Sequence, residues 1–93
     1  MARAYGLHPL YVDSAQAADL EQLAQRLARP DVVAVGEIGL DGFINTPTLE
    51  AQLPWFEAQL ALARRFDLPV ILHVRHAVEA VIQAVKRAGV RGG

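Results

Sequence analysis

The chain has 93 residues, of which 53% are hydrophobic and 20% charged, with a net charge of -1 and no cysteine. This is length enough for one small domain with a core of its own, and too apolar a composition for a disordered chain. The near-neutral balance argues against a strongly basic nucleic-acid footprint beyond a local patch, and the missing cysteines exclude disulfides and thiolate metal ligands.

In chain order, residues 3–7 form a candidate strand closed by His8-Pro9, because proline disfavours helix just before itself. Asp13-Ser14 offers a helix N-cap, and Leu20, Leu23, Ala24 and Leu27 follow at helical spacing. Pro30-Asp31 ends that helix, and residues 32–36 read as a fully buried strand. Residues 37–49 carry Gly39, Gly42 and Pro47 and read as a long loop, a kind of segment that is often functional. Leu53, Phe56, Leu60 and Ala63 mark a second helix, expected to start near Leu53 so that Pro54 falls in its first turn. Trp55 and Phe56 are expected in the core. Residues 69–73 form a third strand, and Val78, Val81, Ile82 and Val85 a third helical stripe that stops at Gly89.

Strand and helix alternating three times is the pattern of a parallel sheet with helical crossovers. Residues 1–93 are expected to form one domain without internal boundary or repeat, and an incomplete one, since three helices cover a parallel sheet only in part. No apolar run approaches the roughly 20 residues that span a bilayer. Met1-Ala2-Arg3-Ala4-Tyr5 lacks the apolar core of a secretory signal, so the expected setting is cytoplasmic, with no membrane partner.

Two places carry chemistry. The run Val33-Ala34-Val35-Gly36 ends in Glu37, and Pro69-Val70-Ile71-Leu72 ends in His73. A carboxylate at the end of a dry strand is either solvated just past it or paired, and a metal ion is one partner for it. A histidine there is a ligand, a general base or a satisfied core residue. Arrival of both at equivalent points of neighbouring strands favours a metal, since hard-to-borderline divalent ions take this mixture of oxygen and nitrogen. Arg75 is either a phosphate-binding guanidinium at the site mouth or a surface charge. His8 could reach the same mouth or stand exposed in its turn. Asp41 could orient a ligand from behind or cap the loop. His76 reads as a helix-start residue rather than a ligand, and Arg64-Arg65 as a solvated helix end. The phosphate-cradling, dinucleotide and nucleophile-elbow motifs are all absent.

The segments Gly6-Leu7-His8-Pro9, Gly36-Glu37-Ile38-Gly39-Leu40-Asp41, Gln59-Leu60 and Leu68-Pro69-Val70-Ile71-Leu72-His73-Val74-Arg75 stand in the order and spacing of the TatD-type metal-dependent hydrolases. The chain resembles that family over nearly its whole length. The resemblance implies an α/β fold, a partial TIM-type (β/α) barrel of about three βα units with parallel strands. It implies a divalent metal centre of two ions in the intact enzyme, with Glu37 and His73 as metal ligands and His8 and Arg75 on the substrate side. The activity it implies is hydrolysis of a phosphodiester, often of DNA from its ends. Three departures stand out. No H-x-H pair is present, the family's later histidine and aspartate have no counterpart up to Gly93, and Gly42 replaces a bulky residue. A full barrel of this kind takes roughly 250 residues. The expectation is therefore a fragment of a TatD-like hydrolase, inactive in isolation. The alternatives are a non-catalytic product that self-associates through exposed sheet edges, and a related hydrolase acting on C–N or ester bonds.

Overall fold

A computed structural model describes residues 3–8, 12, 15–43 and 48–89. Pro9, the expected Asp13-Ser14 cap, Pro47 and the run after Gly89 lie outside the described residues. The elements are β1 (Arg3–Tyr5), α1 (Ala17–Leu27), β2 (Val32–Asp41), α2 (Leu49–Arg65), β3 (Val70–Arg75) and α3 (Val78–Ala88). The strands form one parallel sheet in the order β1-β2-β3, and the alternating pattern expected from the sequence is present.

β2 differs most from expectation. It runs on through Asp41, so Glu37 lies within a strand rather than opening a loop. Its ladder explains why. Arg3 and Ala4 of β1 face Val32 and Ala34, and Ile71 and Leu72 of β3 face Gly36 and Ile38. Val33 and Glu37 are each the extra residue of a bulge, which shifts the side-chain alternation. Val32, Val35 and Ile38, three apart, can therefore all reach the core, whereas Val33 and Glu37 are turned out to the surface. Periodicity of two would have put these residues on alternating faces.

The core is one cluster: Leu23 and Leu27 of α1, Val35, Ile38 and Leu40 of β2, Phe56, Leu60 and Ala63 of α2, Val70 of β3, and Val81 and Ala84 of α3. Val70 and Leu72 face this cluster, so Ile71, His73 and Arg75 take the opposite face of the sheet. Among the described residues that face carries no helix, and it holds the chemistry.

Helix α1 begins at Ala17, where the Gln16 N–H donates to Asp19 Oδ2 at 2.7 Å. Helix α2 starts one turn earlier than expected, at Leu49, because Thr48 caps it: the Ala51 N–H donates to Thr48 Oγ1 at 3.2 Å. Pro54 thus sits inside the helix. Pro54 and Glu50 are both exposed, so the carbonyl that loses its partner can turn to water. Trp55, expected in the core, is only half-buried. Helix α3 ends at Gly89 in the left-handed conformation, as its stripe implied, but Val78 and Ile82 of that stripe are exposed. No helix among the described residues is long and apolar enough to cross a membrane.

Candidate metal centre

Three chain segments converge on the helix-free face. His8 follows β1 by three residues, Glu37 stands at the second bulge of β2, and His73 is the fourth residue of β3. One donor atom from each of these side chains lies within 4.8 Å of the other two. The His8 Nε2 is 3.5 Å from Glu37 Oε1, and the two imidazole rings are 4.4 Å apart and tilted by 60°. Two imidazoles and a carboxylate at this separation fit a divalent ion of borderline hardness. The bulge matters here, because it takes Glu37 out of the strand's regular alternation and frees its carboxylate to turn toward the histidines.

Behind this group sits Asp41, at 1% exposure the most deeply buried acid of the site. The His73 Nε2–H donates to Asp41 Oδ2 at 3.0 Å, and the Phe43 N–H donates to Oδ1 at 3.0 Å. Burial alone would push this carboxyl up. The hydrogen bond from His73, the Phe43 N–H and the nearby Arg75 guanidinium outweigh it and hold the carboxyl below its ordinary value. A proton kept on Nε2 by that carboxylate leaves Nδ1 of His73 as the electron-pair donor. His8 is lowered from its ordinary value, first by burial and then by the neighbouring His73, with Glu37 and Asp41 opposing.

Gly39 permits the close approach on which this depends. It pairs with His73 across the ladder, its φ is +154°, and a Cβ there would collide with the His73 carbonyl oxygen. Gly42, where the family resemblance implies a bulky residue, packs against the carbonyl of His76 and leaves no room for one. The aromatic side chain comes one residue later. Phe43 lies under the Arg75 guanidinium, 4.0 Å from its ring centroid, with His76 stacked 5.3 Å away.

The structure thus brings together His8, Glu37, His73 and Asp41 from the residues singled out in the sequence. Arg75 is not in the donor group; its guanidinium lies over the Phe43 ring, near enough to Asp41 to help lower that carboxyl. His76 has a φ of 52° and precedes α3, clear of the donor group. Gln52 was not singled out in the sequence, and Gln59 only within the Gln59-Leu60 segment of the resemblance. Gln52 and Gln59 of α2 are each 1% exposed. The sequence did carry a signal for them: they fall on the buried stripe that includes Phe56, Leu60 and Ala63.

The family model described as TatD related DNase matches residues 1–93. The chain belongs to the TatD family. A metal-dependent hydrolase of uncharacterized function from Escherichia coli K12, YjjV, is 48% identical over 86 residues, covering 90% of this chain and 33% of the relative. A 3'-5' ssDNA/RNA exonuclease, TatD of Escherichia fergusonii, is 43% identical over 77 residues, covering 83% of this chain and 30% of the relative. The crystal structure of YjjV superposes with a TM-score of 0.87 at 46% identity, covering 94% of this chain and 34% of that one. The chain therefore spans about a third of the length of these TatD relatives. Its three βα units are part of the TatD TIM-type barrel.

Proposed function

We propose that this chain carries part of the metal site of a TatD-type hydrolase, with Glu37, His73 and His8 as ligands of a divalent ion. The convergence of three donor atoms from three chain segments within 4.8 Å supports this reading most directly. It also gives His8 a part beyond the substrate-side role that the resemblance implied. Glu37, His73 and His8 would hold such an ion, which when bound would supply Lewis-acid chemistry, activating water and polarising a phosphoryl oxygen. Asp41 keeps the His73 ring turned and its tautomer set. Arg75, steadied by Phe43, presents a guanidinium suited to a phosphate at the mouth of the site.

The substrate class proposed for the intact protein is a phosphodiester of DNA, or of single-stranded nucleic acid more widely, attacked in the cytoplasm at a centre of two ions. The nucleic-acid part of this reading is supported by the similarity to a 3'-5' ssDNA/RNA exonuclease. Residues 1–93 are then one incomplete domain, in keeping with their span of about a third of the relatives. The isolated chain is then a weak metal binder without appreciable nuclease activity.

Equilibrium titration of the chain with Mn²⁺, alongside Glu37→Ala and His73→Ala, tests the site. Each substitution should reduce affinity about 10-fold or more, since each removes one of three ligands. Unchanged affinity in both folded variants would sink the ligand assignment. A chelator-sensitive DNase activity of the pure 93-residue chain would overturn the claim that it is inactive alone.

A further inference from the structure

The buried glutamines of α2 share one geometry. The Asp41 N–H donates to Gln52 Oε1 at 2.7 Å, and Gln52 Nε2 donates back to the Asp41 carbonyl at 3.0 Å. The Leu7 N–H donates to Gln59 Oε1 at 2.5 Å, and Gln59 Nε2 donates back to the Leu7 carbonyl at 3.3 Å. In each case a side-chain amide takes both polar groups of a single backbone residue, as an opposing residue does in a narrow antiparallel pair. Gln59 Nε2 also donates to the Trp55 carbonyl at 3.0 Å, which ties the amide to its own helix.

The two backbone residues held in this way are not arbitrary. Leu7 immediately precedes His8, and Asp41 carries the carboxylate that accepts from His73. Gln52 and Gln59 are seven positions apart, two helical turns and about 10.5 Å along one face of α2. An apolar side chain of similar volume would bury as well, but it would leave the N–H and carbonyl of Leu7 or Asp41 without these partners, at a cost in stability. An amide does something an apolar side chain cannot: it sets the height and rotation of the backbone it grips. Leu7 lies beyond the last residue of β1 and Asp41 is the last of β2, where ladder pairing runs out.

We infer that Gln52 and Gln59 are positioning residues of the metal site. Helix α2 serves as a ruler whose two amides fix where Asp41, and through it His73, stand relative to His8. The inference rests on the metal-site reading above and adds residues to it that touch neither metal nor substrate.

The test uses the full 93-residue chain with Gln52→Met and Gln59→Met, which keep the side-chain length and remove the amide, and Gln83→Met on an exposed position as control. Three quantities are read: Mn²⁺ affinity, amide hydrogen exchange at Leu7 and Asp41, and the ¹⁵N resonances of the His73 ring. Each Met variant should lose about 10-fold in Mn²⁺ affinity. Exchange at the released amide should rise about 10-fold or more while that of Val35, in the core of β2, is unchanged. Gln52→Met should also shift the His73 ring resonances without any metal present. Folded variants with wild-type affinity and wild-type ring resonances would overturn the inference, as would an exchange increase spread evenly over the chain. Should wild type itself bind no Mn²⁺, the metal reading fails, and the exchange and ring resonances still decide the clamps. If a Met variant does not fold, the wild-type spectrum decides: the side-chain amide protons of Gln52 and Gln59 must be protected from solvent, and freely exchanging ones refute the clamps.

Discussion

Replacing Gly39 with alanine should damage fold and site together. The added methyl group meets the His73 carbonyl oxygen, with the His73 carbonyl carbon at 2.8 Å and its nitrogen at 3.1 Å. All three are backbone atoms, so no side chain can rotate away. Relief requires β2 and β3 to part locally, which sacrifices two ladder hydrogen bonds worth about 1 kcal/mol each. A non-glycine residue held at φ +154° adds about 1–3 kcal/mol of strain. The total is about 3–5 kcal/mol, against a stability of about 5–14 kcal/mol for a chain of this length. With a slope of about 1.5 kcal/mol per molar urea, the unfolding midpoint should fall by about 2–3 M. The single tryptophan, Trp55, is half-buried and supplies the fluorescence signal. Val33→Ala, at an exposed bulge, serves as the control and should stay within about 0.5 kcal/mol of wild type. The parting strands should also carry His73 away from His8 and Glu37 and abolish Mn²⁺ binding. A midpoint within about 0.5 M of wild type would refute the claim that β2 and β3 meet too closely here for a side chain.

Two further outcomes are expected. The lowered His8 means that the unfolded chain binds its proton first as pH falls, so stability should decline as pH drops through the ordinary histidine range. Urea midpoints at pH 7.5 and 5.5 measure this decline. His8→Gln should shrink the difference, and an equal pH dependence in that variant would contradict the assignment. Val33, Ile71, Val74, Val78 and Ile82 are exposed apolar side chains on and around the sheet, so the isolated chain should self-associate. Size-exclusion chromatography across a concentration series checks this, and a monodisperse monomer throughout would count against association.

The order of elements was readable because each rests on local patterning. Leu23 and Leu27, Phe56 and Leu60, and Val81 are spaced for helices, and apolar runs bounded by proline or glycine mark β2 and β3. Where the structure departs from these expectations, hydrogen bonds outside the apolar pattern are responsible. β2 was expected to stop at Gly36 because Glu37 and Gly39 interrupt the apolar run, yet pairing with His73, Val74 and Arg75 carries it to Asp41. Helix α2 was expected to begin near Leu53, yet the Thr48 cap and the grip of Gln52 on Asp41 secure an extra turn. Gln52 and Gln59 fall on the buried stripe of α2, but nothing local in the sequence shows that their amides meet the backbone of Asp41 and Leu7.

The sequence by itself determined which residue types were available for chemistry, and in what order the chain would deliver His8, Glu37 and His73. It could do so because apolar periodicity and strand-ending polar residues are properties of short segments. Tertiary structure alone decided that these three side chains meet, with Asp41 behind His73 and the bulge turning Glu37 out of the ladder. The reason is physical: a bulge exists only relative to a partner strand. The distance between residues 8, 37 and 73 depends on the pairing of three strands and on a helix packed across them.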